Sequence, residues 1–237
     1  MKTKRIWELD ALRGFCILCV IVVHFLFDLG AFTSIRLNLP WWYLLIKQYG
    51  GVIFVILSGL CATLGSKSFS RGLVVFGAGM LITLVTCAMV WTGMSDESIV
   101  VKFGVLHLLG VSMMLYGLYK KQKTGAILAQ AITMIVLGYF FQTLVVSSVL
   151  LFPFGLCTSD FTSSDYFPIL PNFGWFLLGV CIGRTLYKEK QSRLPEKLGE
   201  LGITRFFRFC GRQSLWIYLL HQPILFGIIQ LISTLQK

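Results

Sequence analysis

Residues 10–29 read DALRGFCILCVIVVHFLFDL, an apolar run of membrane length that carries Arg13, His24 and Asp28. Ionisable groups at bilayer depth are costly, so they mark functional positions by default. On a helix the residues from Arg13 to His24 rise about 16.5 Å over roughly three turns, which puts both on one face at different depths. Asp28, one turn further on, continues that face. An imidazole is suited to proton transfer near neutral pH, and a neighbouring carboxylate can orient it and stabilise its charged form. His24 and Asp28 are therefore candidate catalytic residues. Arg13, whose guanidinium matches phosphate, is a candidate for binding anions that arrive from the cytoplasm. The alternative is structural: Arg13 anchors the helix, His24 bonds a neighbouring helix, and Asp28 marks the helix end.

Around this stretch the composition is uniformly that of a membrane protein. Of 237 residues, 56% are hydrophobic and 13% charged, and the mean hydropathy is +0.79, which excludes an ordinary soluble domain. Several other runs reach the roughly 18 apolar residues of a spanning helix. The net charge of +11 comes from basic residues clustered at helix ends, which is a topology signal and argues against nucleic acid as a partner. Seven cysteines, mostly inside apolar runs, do not form a disulfide framework. Cys16 and Cys19 make a CxxC without the second ligand pair that zinc requires.

Hydropathy and punctuation predict an all-α integral membrane protein of about seven helices, at 11–30, 42–64, 71–92, 101–119, 124–148, 170–187 and 212–234. Asp10 is expected as the N-cap of the first helix. That helix follows MKTKR but lacks a small-x-small cleavage site, so it is read as uncleaved. Residues 149–169 form a long loop containing CTSDFTSSDYFP, and residues 188–211 form a basic interfacial segment around ITRFFRFC. With the N-terminus cytoplasmic, sixteen of the 21 Lys and Arg residues fall in inner segments and the C-terminus lies outside. No repeat or low-complexity tract divides residues 1–237, which read as one multi-pass domain of the cell membrane, with the lipid bilayer as its solvent.

Other polar residues extend the candidate site. His107 and His221 lie inside the fourth and seventh helices, where each could line a cavity with His24 or simply pack. A three-histidine metal site has no supporting spacing, so no metal is expected. Asp165, in the outer loop, and Asn172, at the start of the sixth helix, are candidates for contacting an acceptor. On the inner side Lys67, Arg71, Arg184 and Lys188 could form a phosphate-binding rim, although topology alone accounts for most of that charge.

Five segments in order, ELDALRGFCILCVIVVHFLFDL with its Arg-x10-His spacing, GGVIFVILSG, FGVLHLLG, YFPILPNFGWFLLGVCIGR and GRQSLWIYLLHQPIL, resemble the bacterial branch of the heparan-alpha-glucosaminide N-acetyltransferase catalytic-domain family. That family belongs to a wider transmembrane acyltransferase superfamily that also holds the acyltransferase-3 O-acetylases. The resemblance implies acetyl-CoA as a cytoplasmic co-substrate, a glycan or glycolipid amine or hydroxyl outside as acceptor, His24 as the catalytic residue, Arg13 as the superfamily's arginine, and a homodimer. His24 would act as general base or as transient acetyl carrier. A reading from another class is a small proton-coupled transporter or lipid-linked-sugar carrier using intramembrane His and Asp. It would predict inverted repeats or broken helices, and neither is apparent.

Overall fold

The computed structural model describes residues 5–33 and 35–235; the lysines at positions 2, 4 and 237, used above for topology, lie outside them. The described residues form nine α-helices: α1 (Trp7–Phe32), α2 (Trp41–Leu64), α3 (Ser68–Trp91), α4 (Val105–Tyr119), α5 (Thr124–Phe141), α6 (Ile169–Leu186), α7 (Glu196–Gly199), α8 (Gly202–Arg212) and α9 (Ser214–Leu235). Six of them, α1, α2, α3, α5, α6 and α9, are long and apolar enough to cross a bilayer, so the chain is an all-α, multi-pass membrane protein. On α3, Leu73, Val74, Leu81 and Leu84 are all exposed. A face so apolar is suited to lipid and not to water.

The chain divides into two compact units, residues 1–54 with 189–237, and residues 55–188. In the first unit α1 starts at Trp7, because Ile6 and Leu9 are already buried. Asp10 is consequently not the N-cap expected from sequence; it sits within the first turns and faces Arg13 at 3.9 Å and Arg212 at 3.5 Å. Glu8 accepts hydrogen bonds from the Ser192 hydroxyl at 2.7 Å and the Arg193 amide at 2.8 Å, tying the start of α1 to the segment that follows α6. The amphipathic α8 lies directly against α1. A Cβ on Gly14 would run into the carbonyl of Phe207, and one on Gly211 into the carbonyl of Asp10, so two glycines facing opposite ways let the backbones touch. Ile203, Phe206 and Phe209 stay exposed on α8, as an interfacial helix requires.

In the second unit α3 to α6 run up and down. At one end Lys120 donates to the Ser66 carbonyl at 3.3 Å, and Arg184 at the end of α6 donates to Gln122, Tyr119 and Lys120 carbonyls. At the other end the segment before α4 meets the loop before α6: Lys102 N–H donates to Ser163 at 3.1 Å, Ser164 to the Ile99 carbonyl at 2.7 Å, and Phe167 N–H to the Phe103 carbonyl at 2.8 Å. Fifteen residues of α4 span only about 22.5 Å, short of the roughly 30 Å hydrocarbon core. Residues 100–104 precede it without helical structure, and Val101 and Phe103 among them are buried. The expected fifth helix also stops early, at Phe141 and not 148. Thr143 donates back to the Phe140 carbonyl at 2.7 Å, and Val145 bridges Cys157, so the β-branched and serine run 145–148 finds partners outside a helix.

Candidate functional site

His24 occupies the C-terminal half of α1, seventeen positions beyond the helix start, and His221 sits in α9. The two helices pack in one unit and bring the imidazole rings to 5.2 Å between centroids, edge to face at 64°. His221 is buried, 8% exposed. Its Nδ1 donates to the Tyr218 carbonyl within the same helix. In neutral imidazole one nitrogen donates and the other accepts, so this bond assigns the lone pair to Nε2. That Nε2 is buried and has no hydrogen-bond partner among the described residues. No hydrogen bond joins His24 to another described residue, so its ring stands against His221 with both nitrogens uncommitted.

Asp28 is 5% exposed. Sequence spacing suggested that it orients His24; instead its Oδ2 accepts from the Gln222 amide at 3.0 Å. Gln222 directly follows His221, so one carboxylate on α1 fixes the register of α9 beside the imidazole pair. Tyr43, at the start of α2 and 2% exposed, lies within electrostatic reach of Asp28. Gln222 and Tyr43 escaped notice in sequence because uncharged polar residues in apolar runs are common. The available signal was Gln222 beside an intramembrane histidine. Arg13, partly exposed, faces Asp10 one turn below.

The second unit holds the remaining candidates, and there the structure gives each an architectural partner. His107 is 2% exposed and caps α4 from inside. Its Nδ1 accepts from Gly104 N–H at 3.2 Å, so Nε2 carries the proton and donates to Thr83 Oγ1 at 3.2 Å; Thr83 in turn donates to the Val101 carbonyl at 2.6 Å. Every polar atom of that ring is satisfied. Asp165 accepts from Val105 N–H at 3.0 Å, placing a carboxylate at the N-terminus of α4, where the helix dipole favours it. Asn172 donates to the Pro168 carbonyl at 2.9 Å. Arg184 commits both terminal nitrogens to the carbonyls beyond α4, at 2.6 and 2.7 Å. Lys67 and Arg71 are exposed at the start of α3. His24, Asp28, His221 and Arg13 therefore share a unit; His107, Asp165, Asn172, Lys67, Arg71 and Arg184 belong to the other.

No group of three or more His, Cys, Asp or Glu side chains is arranged to hold a metal ion among the described residues. Two adjacent imidazoles on apolar helices are chemically capable of proton abstraction and of nucleophilic capture of an acyl group. Residues 5–223 match the family model described as heparan-alpha-glucosaminide N-acetyltransferase, catalytic. Comparison with curated proteins and with solved structures gives no match.

Proposed function

The chain belongs to the heparan-alpha-glucosaminide N-acetyltransferase catalytic family, a family of membrane acetyltransferases, and from that premise we propose that it carries acetyl groups from cytoplasmic acetyl-CoA to an amine or hydroxyl of an extracytoplasmic glycan or glycolipid. The observation that carries this reading is the His24–His221 pair, two imidazoles in contact on facing helices, one of them with a buried and unpartnered Nε2. A thioester is reactive but CoA cannot cross a bilayer, so donor and acceptor on opposite sides need a reactive group between them. His24 lies about 25 Å along α1 from Trp7, at a depth that fits this need.

Two routes use the pair. In direct transfer the acceptor nitrogen or oxygen attacks the thioester carbonyl, the C–S bond breaks, an imidazole takes the acceptor's proton, and the CoA thiolate is protonated on leaving. In the two-step route a His24 nitrogen attacks the thioester carbonyl, the C–S bond breaks and CoA leaves as the thiol with the proton from the imidazole; the acceptor then attacks the acetyl-imidazole, its proton passes to Nε2 of His221, and His24 is released. Either way a site removed from water limits hydrolysis of the activated acetyl. Asp28 acts through Gln222 to hold α9 against α1, a positioning role, and Arg13 meets anionic donor at the inner end of the same helix.

Topology supports the same direction. The contact of Glu8 with Ser192 and Arg193 implies an even number of crossings from α1 through α6, which α4 supplies as the sixth. The concentration of basic residues at that side argues that it is cytoplasmic, with α9 as a seventh crossing and one membrane domain overall.

The test is acetyl transfer by the purified protein, from labelled acetyl-CoA to amino sugars and sugar alcohols. His24→Ala and His221→Ala are each expected to lower turnover by about a hundredfold to ten-thousandfold with the fold retained. Turnover unchanged in His24→Ala refutes the assignment, and no binding of CoA by the wild type refutes the enzyme reading. Rapid quench in denaturant at neutral pH distinguishes the routes, since only the second leaves label on the protein and acid would hydrolyse an acetyl-imidazole.

A further inference from the structure

Where α1 begins, the first unit carries an open cleft of about 330 Å³ lined by Arg5, Trp7, Glu196, Glu200, Arg208 and Arg212. It is built from backbone outward. Gly199 of α7 lies against the Trp7 indole, since a Cβ there would come within 2.9 Å of the ring. The Gly199 carbonyl accepts from Arg208 Nη1 at 2.7 Å. One face of the tryptophan is thus fixed by a short helix, and one edge of the cleft by a guanidinium held to that same helix.

Its charges are unequally committed. Glu200 pairs with Arg205 at 2.8 Å and with Arg208 at 3.5 Å, and Glu196 also has a partner. Arg212 turns its Nε to Asp10 at 3.5 Å. Arg5 has no hydrogen-bond or ion-pair partner among the described residues. Two of the lining residues each carry a buried donor, Trp7 Nε1–H and Arg208 Nε–H, with no acceptor among the described residues. Orphaned buried donors are costly, and they favour an acceptor-rich ligand. Guanidinium beside an indole is the chemistry that takes phosphate together with a flat, π-faced ring.

The geometry points to this cleft as the docking site for the phosphorylated nucleotide end of the CoA thioester. The inference rests on the function proposed above and names where its donor is held. Asp10, which engages Arg212 at the cleft, precedes His24 by fourteen residues, about 21 Å along α1. A ligand with an anionic nucleotide at one end of a long arm and a thioester at the other fits that separation; a short acyl phosphate does not. Arg184, a candidate for this task by sequence, is committed to α4 instead.

The experiment measures binding of adenosine 3′,5′-bisphosphate, CoA and pantetheine to the purified full chain, and the ratio of kcat/KM for acetyl-CoA to that for acetyl-pantetheine. Arg5→Glu is expected to weaken adenosine bisphosphate and CoA about tenfold or more and to lower that ratio accordingly. A photoreactive 8-azido derivative of the bisphosphate, used on the wild type, is expected to label within residues 5–8 or 196–212. Labelling elsewhere overturns the inference, as does undiminished CoA affinity in both Arg5→Glu and Arg208→Gln. A wild type that is labelled here by the nucleotide yet transfers no acetyl group supports the site and refutes the function, so the two failures are distinguishable.

Discussion

Replacing His107 with leucine separates the architectural histidine from the two proposed as reactive. In the folded chain His107 accepts from Gly104 N–H and donates to Thr83, and it is almost wholly buried. Leucine fills similar space but leaves the Gly104 N–H without an acceptor at the entry of α4, at about 1–3 kcal/mol, and removes one neutral hydrogen bond of about 1 kcal/mol. The sum, about 2–4 kcal/mol, corresponds to a fall in melting temperature of about 5–15 °C for a chain of this size. Thermal unfolding of the detergent-solubilised variant, followed by a thiol-reactive dye at the buried cysteines, reads this directly. Thr83→Val should lose less alone, and the double variant should lose less than the sum, because the two share one chain of hydrogen bonds ending at Val101. Turnover per folded molecule should persist. A melting temperature within about 2 °C of wild type would refute the network's energetic role. Full stability with turnover abolished would move His107 from scaffold to site.

Three further perturbations probe separate features. Arg184→Ala frees the Tyr119 and Gln122 carbonyls and is expected to destabilise by about 2–4 kcal/mol in chemical unfolding while CoA affinity is unchanged; reduced CoA affinity at unchanged stability would restore it to the donor rim. Gly211→Ala forces α8 from the Asp10 carbonyl and should cost about 1–3 kcal/mol by the same assay; a neutral result would refute the close packing of α1 and α8. The Glu200 carboxyl is held below the usual carboxylate range, chiefly by its hydrogen bond and charge pairing with Arg205. Its contribution is therefore present above the ordinary glutamate value of about 4.3 and is lost as the pH falls through the lower folded value. The small difference in melting temperature between wild type and Glu200→Gln should be flat at neutral pH and close on acidification, whereas a difference that grows on acidification would contradict the pairing.

The helices were legible because lipid leaves a chain few ways to satisfy its backbone. Apolar runs therefore located α1, α2, α3, α6 and α9 closely, and length failed only where another force acted. The end of α5 moved because Val145 and Val146 pair with the outer loop, and α1 began early because Ile6 and Leu9 are buried against protein. Helical spacing put Arg13, His24 and Asp28 along a single helix, and α1 contains all three. Spacing within one helix could not say what faces it from another. The pairing of His24 with His221, 197 positions away in sequence, and of Asp28 with Gln222 depends on which side of α9 meets α1. By residue type alone His107 and His221 look alike. Only the Gly104 amide and Thr83 hydroxyl, supplied by a loop and another helix, distinguish the satisfied ring from the one with a bare Nε2. The cleft at Arg5 and Trp7 was hidden for the same reason, being assembled from chain ends nearly 190 residues apart.

The central claim is that an acetyl group crosses the bilayer through His24. Sealed inside-out vesicles holding the protein, with amino-sugar or glycolipid acceptor confined to the lumen, receive acetyl-CoA labelled in the acetyl group on the outside, which is the cytoplasmic face. The account predicts acetylated acceptor in the lumen, CoA released outside, and neither from His24→Ala vesicles. Label confined to acceptor on the same side as CoA, or transfer undiminished in His24→Ala, would contradict it.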